Sequence, residues 1–122
     1  MKQKVHCVSY LVKAEFEFTD GVYDLVALPT GAEVVKVSLE VVGNPTVESI
    51  SVGFKDETNK NYFLTLDNIV NSDAKKHATS AKDYTATSNK VVVAEVKSAS
   101  GNDVKGVLRV LYFLPSVIEV EY

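Results

Sequence analysis

Few residues in this chain are equipped for chemistry, and their spacing does not suit it. His6 and His77 are the only histidines and Cys7 the only cysteine, so neither a zinc-ligand spacing nor an internal disulfide is available. His6 and Cys7 are neighbours, and on a strand neighbours point to opposite faces, which weakens a Cys–His nucleophile pair. Ser72-Asp73-Ala74-Lys75 has the Ser-x-x-Lys spacing of penicillin-recognising enzymes, without their further motifs or their large helical domain. Glu15/Glu17 and Glu119/Glu121 are paired carboxylates, but general acid–base work needs one member desolvated to separate their pKa values. Alternation instead puts both pairs on solvated faces, opposite Phe16, Phe18, Ile118 and Val120. Asp20-Gly21-Val22-Tyr23-Asp24 offers oxygens to a calcium ion but lacks the EF-hand pattern, and a plain turn is the favoured reading. No glycine-rich loop opens a helix, so phosphate cradling has no support. Lys75-Lys76-His77 is a small basic cluster in a polar stretch. Asn44-Pro45-Thr46 is disqualified for glycosylation by its proline. No catalytic residue, cofactor or metal ion is expected.

The elements that carry these residues read as strands. Val5–Val12 is mostly apolar and alternates loosely, with Val8, Tyr10 and Val12 on one face and Val5, Cys7 and Leu11 on the other. Lys13–Thr19 alternates cleanly, with Ala14, Phe16 and Phe18 sharing a face. Period two marks a half-buried strand. Asp20-Gly21 and Pro29-Thr30-Gly31 bracket a short strand over Val22–Leu28. Glu33–Val42 gives the clearest pattern, predicting Val35, Val37, Leu39 and Val41 on one face and Lys36, Ser38 and Glu40 on the other. Glu48–Phe54 follows with Ile50, Val52 and Phe54 inward and Gly53 outward, and Asn61–Leu66 comes next. Asp67–Lys82 reads mostly as loop, with one or two helical turns available at Ala74–Ala78. Asp83–Thr87, Lys90–Lys97, Gly106–Leu114 and Val117–Tyr122 complete the strands. Gly106–Leu114 is apolar on both faces, as a central strand would be.

With 122 residues, a chain this size buries roughly two-thirds of its unfolded surface, enough for one ordinary core. The expectation is a single domain over residues 1–122. Its class is all-β: an antiparallel β-sandwich or jelly roll of about eight to ten short strands with at most one short helix. Val, Thr, Tyr and Phe dominate, as a pleated half-buried surface favours. A net charge of −3 with 24% charged residues excludes a polyelectrolyte. Arg109 is the only arginine, so neither a bidentate phosphate clamp nor a nucleic-acid surface is expected. No apolar run approaches the ~20 residues of a membrane-spanning helix, and Met1-Lys2-Gln3-Lys4 leads into alternation rather than a signal-peptide apolar block. Tyr10, Phe16, Phe18, Phe113 and Tyr122 lie in segments near the two ends. They either complete the core or form a subunit interface, where aromatic residues are enriched, and the end strands are also candidates for exchange between protomers.

Leu28-Pro29-Thr30-Gly31-Ala32-Glu33, feeding the alternating strand to Val41, resembles small virion proteins of tailed phages. Ile50-Ser51-Val52-Gly53, then Asp56, then Tyr62-Phe63-Leu64, then Gly106-Val107-Leu108-Arg109-Val110-Leu111-Tyr112, follow in the order of that family. The resemblance spans most of residues 28–112. It implies a β-sandwich or jelly-roll capsid decoration (cement) protein, made in the host cytoplasm and seated on the capsid surface. As such it would work as a trimer with the major capsid protein as partner, without nucleic acid, membrane, cofactor or enzymatic activity. Val8, Tyr10, Phe16, Phe18, Lys75, Lys76, Phe113 and Tyr122 are the expected subunit or capsid contacts. The alternatives are a tail- or head-fibre module or a carbohydrate-binding sandwich, and an enzyme. The absence of Trp weighs against sugar platforms, and no acid–base or nucleophile constellation favours the enzyme.

Overall fold

Alternating β-branched and aromatic residues give strands throughout, and the computed structural model has no helix among its described residues. Those residues are 2–6, 8–17, 19–43, 47–69, 77–97, 105–114 and 117–121. Strands β1 (Lys2–His6), β2 (Ser9–Glu17), β3 (Gly21–Leu28), β4 (Glu33–Val42), β5 (Val47–Phe54) and β6 (Leu64–Ile69) form the first half. Strands β7 (His77–Ser80), β8 (Tyr84–Thr85), β9 (Lys90–Lys97), β10 (Lys105–Phe113) and β11 (Val117–Glu121) form the second.

One sheet has the order β2-β10-β4-β7, with β8 also paired to β4; the other has the order β3-β9-β5-β6. All pairings are antiparallel. Setting aside the short β8, this interleaving of eight strands in two four-stranded sheets is the jelly-roll order. The expected all-β sandwich is therefore the fold. The core lies between the sheets. Phe16, Val37, Leu39, Leu108 and Val110 come from one, and Val26, Ile50, Val52, Phe54, Val92, Ala94 and Val96 from the other. No polar or charged residue is buried among the described residues, so no desolvation cost offsets the burial of apolar surface.

Four local readings change. First, Ser9–Glu17 is one strand, paired along its whole length with β10. Second, the register between β4 and β10 shifts so that Leu111 faces Lys36 while Tyr112 faces Val34. Val35 is thus the extra residue of a β-bulge, which reverses the alternation at that point. Val34 joins Val37, Leu39 and Val41 in the core, and Val35 is exposed. Third, His77–Ser80 within the expected loop is a strand, held by pairing to Leu39, Glu40, Ser38 and Val37; residues 70–76, which include most of the possible helical turns, lie outside the described residues. Fourth, Gly53 does lie on the outer face of its sheet, but it is buried. The backbone of Lys60, Asn61 and Tyr62 crosses directly over it, leaving no room for a Cβ.

β1 pairs only with β11, as a two-stranded ribbon apart from the two sheets. The ribbon continues the β2–β10 pair, since the Leu114 amide donates to the Val8 carbonyl at 2.9 Å. Partner numbers sum to 122 along β2–β10 and to 123 along β1–β11. One extra residue therefore enters on the β11 side between Leu114 and Val117.

Candidate functional site

The jelly roll leaves three kinds of exposed feature: the outer faces of its sheets, the loops at its ends and the ribbon. The outer face of the β2-β10-β4-β7 sheet is the most structured. Register places its residues in rows: Leu11, Leu111 and Lys36; then Lys13, Arg109, Ser38 and Thr79; then Glu15, Val107, Glu40 and His77; then Glu17, Lys105 and Val42. Leu11, at 66%, is the most exposed large apolar side chain described. Val107 is buried on this same face, flanked by the carboxylates of its row and by Arg109 and Lys105.

Charges on this face pair across strands. The His77 Nε2–H donates to Glu40 Oε2 at 3.1 Å, and Arg109 stands 3.5 Å from Glu40 Oε1. The His77 hydrogen bond, followed by the charge of Arg109, holds the Glu40 carboxyl below its ordinary value. Lys105 Nζ donates to Glu15 at 3.3 Å, and Ser38 and Thr79 hydroxyls bond at 3.1 Å. Glu40 and His77 form the orienting half of a base dyad, but among the described residues no nucleophile hydrogen-bonds to His77. Across the molecule, Lys90 donates to Asp56 at 2.6 Å, lowering the Asp56 pKa and raising that of Lys90. Asp24, a candidate calcium ligand, instead accepts from Lys55 at 2.7 Å. The described residues contain no group of three His, Cys, Asp or Glu able to hold a metal ion.

A shallow groove of about 240 Å³ runs across the first two rows, lined by Leu11, Lys36, Ser38, Arg109 and Leu111. Sequence reasoning did not single these residues out. The signal was present in the two-sided apolarity of β10, which leaves Leu111 on an outer face.

Of the expected contact residues, Val8, Tyr10 and Phe113 lie at the end of the β2–β10 pair that runs into the ribbon, Val8 and Tyr10 on one face of the pair and Phe113 on the other. Tyr10 is 48% exposed, with its ring 5.7 Å from that of Tyr112. Phe113 is half-buried beside Ser9 and Glu33. Phe16 does not join them. It is 5% exposed, in the core against Tyr23, so its surface is already covered within the chain. Phe18, Lys75, Lys76 and Tyr122 lie outside the described residues.

The jelly roll is an architecture shared by viral shell proteins, lectins and cupins. Among solved structures, the chain matches a chain in the acid-stable capsid structure of Helicobacter pylori bacteriophage KHP30. The two are 78% identical, with all of both chains covered and a TM-score of 0.93. A chain of the cyanophage Pam1 capsid asymmetric unit shares the fold, at 21% identity and a TM-score of 0.67, over 88% of this chain and 85% of that one. No family model and no curated protein matches. The chain belongs to the family of bacteriophage virion structural proteins represented in the KHP30 capsid. It is a capsid-associated structural protein.

Proposed function

We propose that this protein is a non-enzymatic capsid decoration (cement) protein. Residues 1–122 act as a single jelly-roll unit that seats on the outer surface of the major capsid protein shell as a trimer and stabilises it. The observation that carries this reading is the full-length match, at 78% identity, to a chain of a phage capsid structure. The physics agrees. A cement protein needs a rigid scaffold and exposed contact area rather than a reaction. Repetition around a shell turns weak contacts into strong net attachment, because each further contact forms at high effective concentration. Val8, Tyr10 and Phe113, at the root of the ribbon, are the contact residues we retain for that role. Phage heads assembled without this protein and challenged by heat provide the test. Added protein should bind them at a saturating stoichiometry and raise the temperature at which they release DNA. The bound protein should have three times the 13.3 kDa chain mass. Failure to bind heads, together with micromolar binding on a glycan array, would favour a fibre or carbohydrate-binding module instead.

A further inference from the structure

The groove on the outer face of the β2-β10-β4-β7 sheet has the makings of a docking site for a protein segment. Its floor is apolar, with Leu11 and Leu111 side by side in register. Lys36, Ser38 and Arg109 complete its lining, and the long stems of Lys36 and Arg109 can cover apolar surface while their charges stay in water. At about 240 Å³ it is smaller than the ~300–1,000 Å³ usual for small-molecule and cofactor sites. A space of that size suits a side chain or two of a macromolecular partner.

Charge defines the partner further. Every other cation on this face has an anionic neighbour: Lys13 stands 3.9 Å from Glu15, Lys105 3.3 Å from Glu15 and Arg109 3.5 Å from Glu40. Lys36 is exposed and has no hydrogen bond or ion pair with the described residues. Of the carboxylates on the face, Glu15, Glu17 and Glu40 lie in the rows beyond the groove, and Glu33 lies in the row before Leu11, its Oε1 accepting from the Thr85 hydroxyl at 2.7 Å. Among the described residues none of them lines the groove, whose charged lining residues are Lys36 and Arg109. An exposed leucine beside an ammonium without a counter-ion calls for an aliphatic group next to a carboxylate. Two copies seated groove on groove, with the two-fold axis through the groove, would bring Lys36 of each close to Lys36 of the other with no carboxylate in the lining between them, which like-charge repulsion disfavours.

Resting on the shell-binding reading above, we infer that this groove receives an acidic–aliphatic segment of a shell protein. An aliphatic side chain lies on Leu11 and Leu111, and the adjacent carboxylate pairs with Lys36. The groove is then a specificity-determining contact of the protein on the capsid, one row along the same outer face from Phe113.

The test uses the full-length protein and phage heads assembled without it, with three single variants. Lys36→Glu and Leu11→Ser alter the groove at exposed side chains; Lys97→Glu makes the same charge change on the opposite sheet. Circular dichroism and light scattering check that each variant keeps its fold and oligomeric mass. Wild type should bind heads, Lys36→Glu and Leu11→Ser should each bind about tenfold more weakly or worse, and Lys97→Glu should bind as wild type. Wild-type affinity in both groove variants would overturn the inference while leaving the shell-binding reading intact. A loss of head binding that tracks a fall in oligomeric mass would also overturn it, by making the groove a contact between copies. Failure of the wild type to bind heads would overturn the shell-binding reading and this inference with it.

Discussion

Gly106 is the second residue of β10, buried and paired with Phe16 on one side and Val41 on the other. A Cβ built there would clash with the Cζ edge of the Phe16 ring; even the third-nearest ring carbon would stand at 2.8 Å. The glycine is not needed for its backbone, since its φ is not among the positive values found at Gly21, Gly31 and Gly43. It is needed for space. In Gly106→Ala the methyl must displace the ring of a side chain that is 5% exposed. Overpacking of this kind costs about 1–3 kcal/mol, and Phe16→Ala alone should cost about 3–5 kcal/mol. The double variant separates the two causes. With the ring gone the clash is gone, and Gly106→Ala should become neutral, or stabilising by about 0.4–1 kcal/mol through a less flexible unfolded chain. The expected coupling is therefore about 1–4 kcal/mol, in the direction that makes the double variant more stable than additivity allows. Urea unfolding at one fixed protein concentration reads all four corners of the cycle. A Gly106→Ala cost that is the same with and without the Phe16 ring would refute the steric argument.

Gly53→Ala should destabilise by about 3 kcal/mol. Its Cβ would stand 2.7–2.8 Å from backbone atoms of residues 60–62, and backbone yields less readily than a side chain. A melting temperature equal to that of the wild type would contradict this. Glu40 and Asp56 have folded pKa values below the ordinary 4.5 and 3.8, so below those values the unfolded chain binds protons first. Both then contribute stability that is full at neutral pH and is lost as pH falls through their lowered folded values. Glu40→Gln should therefore be less stable than wild type at pH 7, with the gap closing as pH falls below 4.5; a gap independent of pH in denaturation at pH 7 and pH 3 would rule this out. Lys90, raised above 10.5, should contribute stability that is present below that value and lost at higher pH, and Lys90→Met would remove that alkaline slope from a pH titration of stability.

Much of the secondary structure was legible in the sequence. The bounds of β4 and β9 follow from apolar alternation and from the turn residues that flank it, because side-chain period and turn chemistry are local properties. The two-sided apolarity of β10 marked it as central, and it is indeed flanked by β2 and β4. The candidate site was much less legible. Alternation puts Leu11 on a strand face without giving it a role, and it is exposed, whereas Phe16, expected either to complete the core or to form a contact, is buried. Composition does not distinguish the two, since what covers a side chain is a neighbour distant in sequence.

The sequence by itself thus determined an all-β chain, its main strands and the poverty of its catalytic equipment. Only the tertiary structure decided the interleaved jelly-roll order, the bulge at Val35 that brings Val34 inward, and the capture of His77–Ser80 as an edge strand. It alone placed the loop over Gly53 and assembled the Leu11–Lys36–Arg109 groove from three strands. The physical reason is one of range. Alternation is written residue by residue, but register, bulges and coverage are set by pairings between segments tens of residues apart, which no local pattern specifies.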